Sequence, residues 1–247
     1  MKTVFSKPKS MYDVKTHYCP GCGHGVAHRI MCEVIDELNI REKVIAIAPV
    51  GCSVIAYDYW DFDVSEAPHG RGPAVATGLK KVHPESIVIS YQGDGDLASI
   101  GIAETIHAAN RGENFTIIFI NNANYGMTGG QLAPTTLIGQ KTLTTPFGRS
   151  PEKEGYPINV CKLLNALKAP VFIARAALTT PKKILKAKSY IKTAFKYQMQ
   201  SKGFTFIELL SACPTNWGRT PSESIDFIET SMISEFEEGI FRDLKEN

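Results

Sequence analysis

Five short apolar runs punctuate the chain: VIAIAPV (44–50), SIVISYQ (86–92), FTIIFIN (115–121), VFIARAA (171–177) and FTFIELL (204–210). Each is rich in β-branched or aromatic residues. Runs of this length and character are strands covered on both faces, as in parallel sheets. Between them apolar residues return at helical spacing. One pattern opens near His24 and continues through Val26, Ile30, Val34, Ile35 and Leu38, and another occupies 72–83 with Val75, Leu79 and Val82 on one side. Further helices are expected over about 97–110, 158–168 and 181–199, with a short one near the C-terminus. Strands alternating with helices predict an α/β fold, a mostly parallel sheet with helices on both faces, forming a single domain over 1–247. Ligands of such sheets bind beyond the carboxyl ends of the strands, so chemistry is sought in the loops that follow strands. The stretch 122–155, dense in Gly, Pro, Thr and Asn, is a loop long enough to expect function of it.

The bulk numbers narrow the classes. Hydrophobic residues at 43% and charged residues at 21% suit a globular chain with a substantial core. A net charge of +2 gives no reason to expect a nucleic-acid partner. Lys182, Lys183, Lys186, Lys188, Lys192 and Lys196 gather on the expected 181–199 helix and read as its solvated face, or as a dock for an acidic protein. The opening MKTVFSKPKS lacks the apolar centre of a secretory leader, and no apolar stretch reaches the ~20 residues needed to cross a bilayer. A cytoplasmic chain that meets no membrane is the expectation. Six cysteines in such a chain point to metal, cluster or catalytic use, or to burial, before disulfides.

Two loops carry the first constellation. GDGDLASIG (93–101) follows one strand and NNANYGMTGGQ (121–131) ends the next. Gly93 and Gly95 permit a sharp turn and a close approach to a ligand. Asp94 offers a hard oxygen and Asn122 an amide oxygen, donors that suit Mg²⁺ completed by phosphate oxygens and a backbone carbonyl. The helix that begins near Asp96 and Leu97 turns its N-terminal amides to the same place, which favours a diphosphate. Each loop alone is an ordinary turn; together they are a site. A dinucleotide fold is excluded by form, since no G-x-G-x-x-G opens a helix after the first strand.

GDG followed by NN at this interval is the thiamine diphosphate motif. With CPGCGHG (19–25), APVGCSV, EAPHGRGPAVATG, YQGDGDLASIG, NNANYGMTGGQLAPTT and CPTNWG, the chain resembles the β subunit of 2-oxoacid:ferredoxin oxidoreductases along nearly its whole length. It is most similar to the branched-chain, 2-oxoisovalerate branch. The resemblance implies the PP-type thiamine-diphosphate-binding fold, with a cluster-binding segment at about 15–55 and a C-terminal extension at about 212–247. It also implies that Asp94, Asn122 and the carbonyl of Asn124 hold Mg²⁺, and that Gly95, Asp96 and Leu97 line the diphosphate beside Gly93. Gly51, Cys52, Ser53 and His69 would lie along the cofactor, His69 as a catalytic side chain. Tyr125, Gly126, Met127 and Thr128 would open the segment, up to Gln131, that covers the thiazolium.

The cysteines divide by position. Cys19 and Cys22 form a C-x-x-C pair, while Cys52 and Cys213 follow strands, so all four sit in loops. Cys32 and Cys161 fall inside amphipathic helices, where a small buried hydrophobe explains them. Four thiolates fit a 4Fe–4S cluster, and the family's cluster ligands fall on these positions. A structural zinc or, for the pair alone, a redox dithiol remains open chemically. His24 and His28, one helical turn apart, are expected to cap and pack their helix.

The resemblance implies thiamine-dependent oxidative decarboxylation of a 2-oxoacid to acyl-CoA and CO₂, with electrons leaving singly through the cluster to ferredoxin and coenzyme A as co-substrate. It implies a separate α subunit that binds the aminopyrimidine and supplies its glutamate, and a further small ferredoxin-like subunit, because the C-x₂-C-x₂-C-x₃-C run is absent here. A distal carboxylate needs a cation, yet SVIAYDYWDFDV (53–64) and YGMTGG (125–130) contain no Lys or Arg. Val54, Ile55, Tyr57, Trp60 and Met127 favour a branched apolar substrate such as 2-oxoisovalerate, unless the aromatics only pack. Alternatives are 2-oxoglutarate or pyruvate, a non-redox thiamine-dependent decarboxylase subunit, or a zinc-stabilised assembly subunit.

Overall fold

The structure is a computed structural model that describes residues 6–244. Residues 1–5, part of the opening stretch read for a leader, and residues 245–247 of the expected C-terminal extension lie outside the described residues. The five apolar runs are strands β1 (Val44–Pro49), β3 (Ile87–Gly93), β4 (Thr116–Asn121), β5 (Phe172–Ala177) and β6 (Thr205–Leu210). Two further strands went unpredicted: β2 (Asp63–Ala67) and β7 (Gly239–Asp243). Both lie at sheet edges, in the order β2-β1-β3-β4-β6-β5-β7, where one neighbour is enough and DVSEA and GIFRD can remain largely polar. All pairings are parallel except β5 with β7.

Successive strand residues face opposite layers. Ile118 and Ile120 of β4 enter a core with α1 (His24–Leu38), while Ile117 and Phe119 enter another with α2 (Gly72–Val82) and α3 (Ile102–Arg111). A short turn, α4 (Pro151–Glu154), precedes α5 (Val160–Asn165), which packs on the α2–α3 side, and α6 (Pro181–Met199) joins α1 on the other. Three of the α6 lysines, Lys182, Lys186 and Lys196, are exposed as a solvated face would be, but Lys188 pairs with Glu33 and Glu37, and Lys192 with Glu37, tying α6 to α1. Lys183 pairs with Glu229 and Glu238.

The helix expected from Leu97 starts differently. Residues Gly95–Ile100 form a wide π-type turn, in which the Gly101 N–H bonds the Asp96 carbonyl, and only then does α3 begin. A side chain at Gly101 would lie 2.5 Å from the Gly70 carbonyl. The widened turn and the bare glycine let the loop before α2 press against the GDG corner. The C-terminal region likewise holds more than one helix: α7 (Pro214–Trp217), α8 (Pro221–Phe227), a π-type turn and then β7.

Candidate functional site

Five adjacent strands deliver the site from their carboxyl ends: Gly51, Cys52 and Ser53 after β1, His69 after β2, Asp94 to Leu97 after β3, Asn122 to Thr128 after β4, and Cys213 after β6. Cys19 and Cys22 arrive from the loop before α1.

Asp94 is the corner. Its Oδ1 accepts the Gly95 N–H at 3.0 Å, and its Oδ2 accepts the N–H groups of Asn122 and Asn124, both at 3.2 Å, and the Thr135 hydroxyl at 2.9 Å. Burial pushes its pKa up to about 7, against the pull of these donors. The Asn122 side-chain oxygen faces the Asn124 carbonyl at 2.8 Å and Asp94 Oδ2 at 3.2 Å; with the amide turned over, its nitrogen would donate to both. Mg²⁺–oxygen bonds of roughly 2.1 Å set at right angles hold neighbouring oxygens about 2.9 Å apart. An Asn122 oxygen set against two others at 2.8 and 3.2 Å suits the donor set of a divalent cation. Between the asparagines, Ala123 takes a left-handed φ of 56°, a strained conformation for a residue with a Cβ. Asn121 Oδ1 holds it by accepting the Ala123 N–H at 3.1 Å, and Thr136 donates to its carbonyl at 2.7 Å.

A cavity of ≈ 110 Å³ opens beside this corner, lined by Gly51, Cys52, Ser53, His69, Gly93, Asp94, Gly95, Asp96, Asn122, Tyr125, Gly126, Met127 and Thr128, together with Val50 and His24. The glycines form a cradle: a Cβ on Gly95 would lie 2.2 Å from the Tyr125 ring. Leu97 departs from expectation, its side chain lying in the α2–α3 core. Asp96 acts through another residue: its Oδ1 lies 2.5 Å from His69 Nδ1 and accepts the Gly70 N–H, while Gln92 donates to Oδ2. With Nδ1 engaged, Nε2 of His69 is the nitrogen left for a ligand. His24 does not cap its helix, whose N-cap Gly23 makes no side-chain bond. It turns inward against Tyr91, 2.8 Å from the hydroxyl, and burial drives its pKa down to about 3. His28 packs as expected, fully buried and neutral. Of the five residues expected to shape an apolar substrate pocket, only Met127 lines the cavity; Trp60 is core, because its ring packs among His28, Phe62 and Tyr91.

The thiols meet beside the cavity. The Gly23 N–H bonds the Ala212 carbonyl, and a side chain on Gly21 would lie 2.7 Å from Pro221, so CPGCGHG is wedged against CPTNWG. Cys22 is pushed up to about 12 and Cys52 to about 11, first by burial and then by the charges of the neighbouring cysteines. All six cysteines are free. Among the described residues no three His, Cys, Asp or Glu side chains converge as one metal ion requires. A cubane cluster makes no such demand, since each of its irons takes one thiolate. Cys32 and Cys161 are buried away from the cage, as expected.

Two supports were not foreseen. Arg149, 5% exposed, donates to the carbonyls of Pro134, Thr136, Glu154, Gly155 and Tyr156 and so folds the long loop around itself. Arg175 and Glu208 form a buried pair at 2.7 Å across β5 and β6, and Glu208 also accepts from Asn121 Nδ2 at 2.7 Å and from the Cys161 thiol. The strained turn at Ala123 therefore rests on an ion pair in the sheet.

Residues 49–209 match the thiamine pyrophosphate enzyme family, C-terminal TPP binding domain. The chain is 50% identical over 252 residues to ketoisovalerate oxidoreductase subunit VorA of Methanothermobacter marburgensis, covering 98% of this chain and 53% of that protein. It is 38% identical over 222 residues to 2-oxoglutarate synthase subunit KorB of Methanocaldococcus jannaschii, covering 87% and 78%. A solved 2-oxoglutarate:ferredoxin oxidoreductase from Magnetococcus marinus, with 2-oxoglutarate, coenzyme A and succinyl-CoA bound, matches at a TM-score of 0.79 and 28% identity over 100% of this chain and 88% of that one. The chain spans about half the length of the VorA proteins it matches. It belongs, by sequence and by fold, to the thiamine-diphosphate-binding subunits of the 2-oxoacid:ferredoxin oxidoreductases.

Proposed function

We propose that this chain is the thiamine-diphosphate-binding part of an enzyme that oxidatively decarboxylates a branched 2-oxoacid to acyl-CoA and CO₂. Mg²⁺ is held by Asp94, Asn122 and the carbonyl of Asn124, and a 4Fe–4S cluster by Cys19, Cys22, Cys52 and Cys213. The observation that carries the reading is the set of facing oxygens at Asp94, Asn122 and Asn124, beside a cavity that Cys52 lines and with Cys19, Cys22 and Cys213 near enough to one another and to Cys52 for their charges to interact. Thiamine diphosphate, when bound, supplies a nucleophilic C2 carbon and an electron sink for decarboxylation. Gly93 and Gly95 admit the diphosphate to the cation corner. Asp96 orients His69 so that its Nε2 can hold or pass a proton at the substrate. The Tyr125–Gln131 turn, closed by bonds between the Tyr125 and Gln131 backbones, excludes water from one side.

The relatives at about half identity carry the ketoisovalerate name. Among the described residues no Lys or Arg lines the cavity to meet a distal carboxylate, which supports 2-oxoisovalerate over 2-oxoglutarate. No glutamate lines it either, which supports an α subunit that brings one to the aminopyrimidine. A small ferredoxin-like subunit and ferredoxin carry the electrons onward. No helix among the described residues is long and apolar enough to cross a membrane, and free thiols suit the reducing cytoplasm.

The test is the complex assembled with its α subunit, purified anaerobically and assayed for CoA-dependent ferredoxin reduction with 2-oxoisovalerate, 2-oxoglutarate and pyruvate. Fastest turnover of 2-oxoisovalerate is expected. Faster 2-oxoglutarate oxidation overturns the substrate. Decarboxylation without iron or sulfide in the protein overturns the redox reading in favour of a plain decarboxylase.

A further inference from the structure

Asn124 gives its carbonyl to the cation corner, which leaves its side chain unexplained. The residue is 2% exposed, and neither the amide nitrogen nor the amide oxygen makes a hydrogen bond of ordinary geometry. Buried side-chain amides are nearly always paired, so this one is aimed at something. Its surroundings are sulfur. A Cβ built on Gly126 would lie 3.3 Å from Cys52 Sγ and 3.7 Å from Asn124 Oδ1, so thiol and amide border the same small gap. Cys213 also lies within reach of the Asn124 amide, which favours its thiolate. A second amide already reaches the same sulfur: Asn216 Nδ2 lies 3.4 Å from Cys213 Sγ and donates to the Gly126 carbonyl at 2.6 Å.

We infer that the Asn124 side chain donates an N–H hydrogen bond to sulfur of the cluster or its Cys213 ligand, and thereby raises the cluster's reduction potential. The inference rests on the reading that the four thiols hold a 4Fe–4S cluster. Reduction adds an electron to the cluster, and an N–H donor at its sulfur stabilises the more negative form; hydrogen bonds to sulfur are among the levers that set such potentials. One residue then touches both centres: the backbone carbonyl of Asn124 faces the cation and its amide faces the electron acceptor.

The experiment compares the assembled enzyme with its Asn124→Leu and Asn124→Asp forms, all purified anaerobically, by redox titration followed with electron paramagnetic resonance. Both forms keep the backbone carbonyl. Expected is one midpoint that moves to more negative potential in Asn124→Leu and further in Asn124→Asp, whose carboxylate adds charge. The midpoints of clusters on other subunits stay fixed and serve as the internal reference. Unmoved midpoints in a loaded cluster overturn the inference, as does weakened cofactor binding with potentials unchanged. If the leucine form does not load, the isosteric aspartate form decides alone. Absence of the cluster from both overturns a tuning role in favour of a structural one. Failure of the underlying reading looks different: iron content would be the same in the wild type and in Cys213→Ser.

Discussion

Asp94 is the residue on which the proposed cation site turns. Its carboxyl is buried and pushed up to about 7 in the ligand-free chain, against an ordinary value near 3.9 in an unfolded chain. The folded state therefore binds the proton more tightly than the unfolded state. Asp94's contribution to the stability of the ligand-free chain is fully present below about pH 4 and is lost as pH rises toward 7, whereas His24 and His28, buried neutral, contribute in the opposite sense as pH falls below 6.5. The loss is on the order of 4 kcal/mol at most. In thermal melts of the ligand-free chain the Tm of the wild type relative to Asp94→Asn should thus fall over that window, the histidines being common to both, and Mg²⁺ with thiamine diphosphate should raise the wild-type Tm most at pH 7 and above. Asp94→Asn should remove the Asp94 part of the pH profile and abolish the Mg²⁺-dependent rise. A variant that kept the rise would remove Asp94 from the cation site. Gly95 tests the cradle: a methyl group there would sit 2.2 Å from the Tyr125 ring, so Gly95→Ala should weaken thiamine diphosphate binding at least tenfold by calorimetry while far-UV circular dichroism stays unchanged.

Among the elements, β4 carries most of the burden, because its last residue braces the strained turn that follows. Asn121 uses its oxygen on Ala123 and its nitrogen on Glu208, and Glu208 is held by Arg175. Removing one member of a buried ion pair typically costs about 3–5 kcal/mol, whereas replacing both with apolar residues can be neutral. Arg175→Met should therefore lower the denaturant midpoint severely, and Arg175→Met with Glu208→Leu should recover much of the loss. The double variant should still need more Mg²⁺ to bind thiamine diphosphate, since Asn121 has lost its acceptor; recovery of both properties together would show that Asn121 does not steady the turn. The letters of this network were visible as Arg in VFIARAA and Glu in FTFIELL. Their pairing was not, because it depends on the register of β5 against β6. The same contrast runs through the molecule. The five central strands were legible because burial on both faces leaves an unbroken apolar run, and β2 and β7 were not because an edge needs no such run. The spacing of Asp94, Asn122 and the four cysteines could be read directly. The inward turn of His24 and the grip of Arg149 on the long loop could not, since both depend on residues distant in the chain.

For the molecule as a whole, the thiol cage is the closure between its first and last loops. Cys19 and Cys22 sit ahead of α1, and Cys213 follows the last parallel strand, yet the two loops pack together through the Gly23–Ala212 bond and the Gly21–Pro221 contact. A cluster bound there cross-links positions nearly the full length of the chain apart. Cross-links that close loops of about a hundred residues or more remove unfolded-state entropy worth on the order of 4–5 kcal/mol in the chain-entropy account. The cluster should therefore be a global staple as well as an electron carrier. Anaerobic protein stripped of iron by a chelator should melt well below the loaded protein. Gly21→Ala should act similarly without touching a ligand, because its φ of +80° and the facing proline both reject a side chain. Cys213→Ser should melt at the stripped temperature whether or not chelator is added, with lower iron content. Cys161→Ser, away from the cage in α5, should keep its iron and its chelator-sensitive melt. If loaded and stripped wild-type protein melted together, the thiols would not hold the two ends of the fold, and the packing of Gly21 on Pro221 alone would account for the closure.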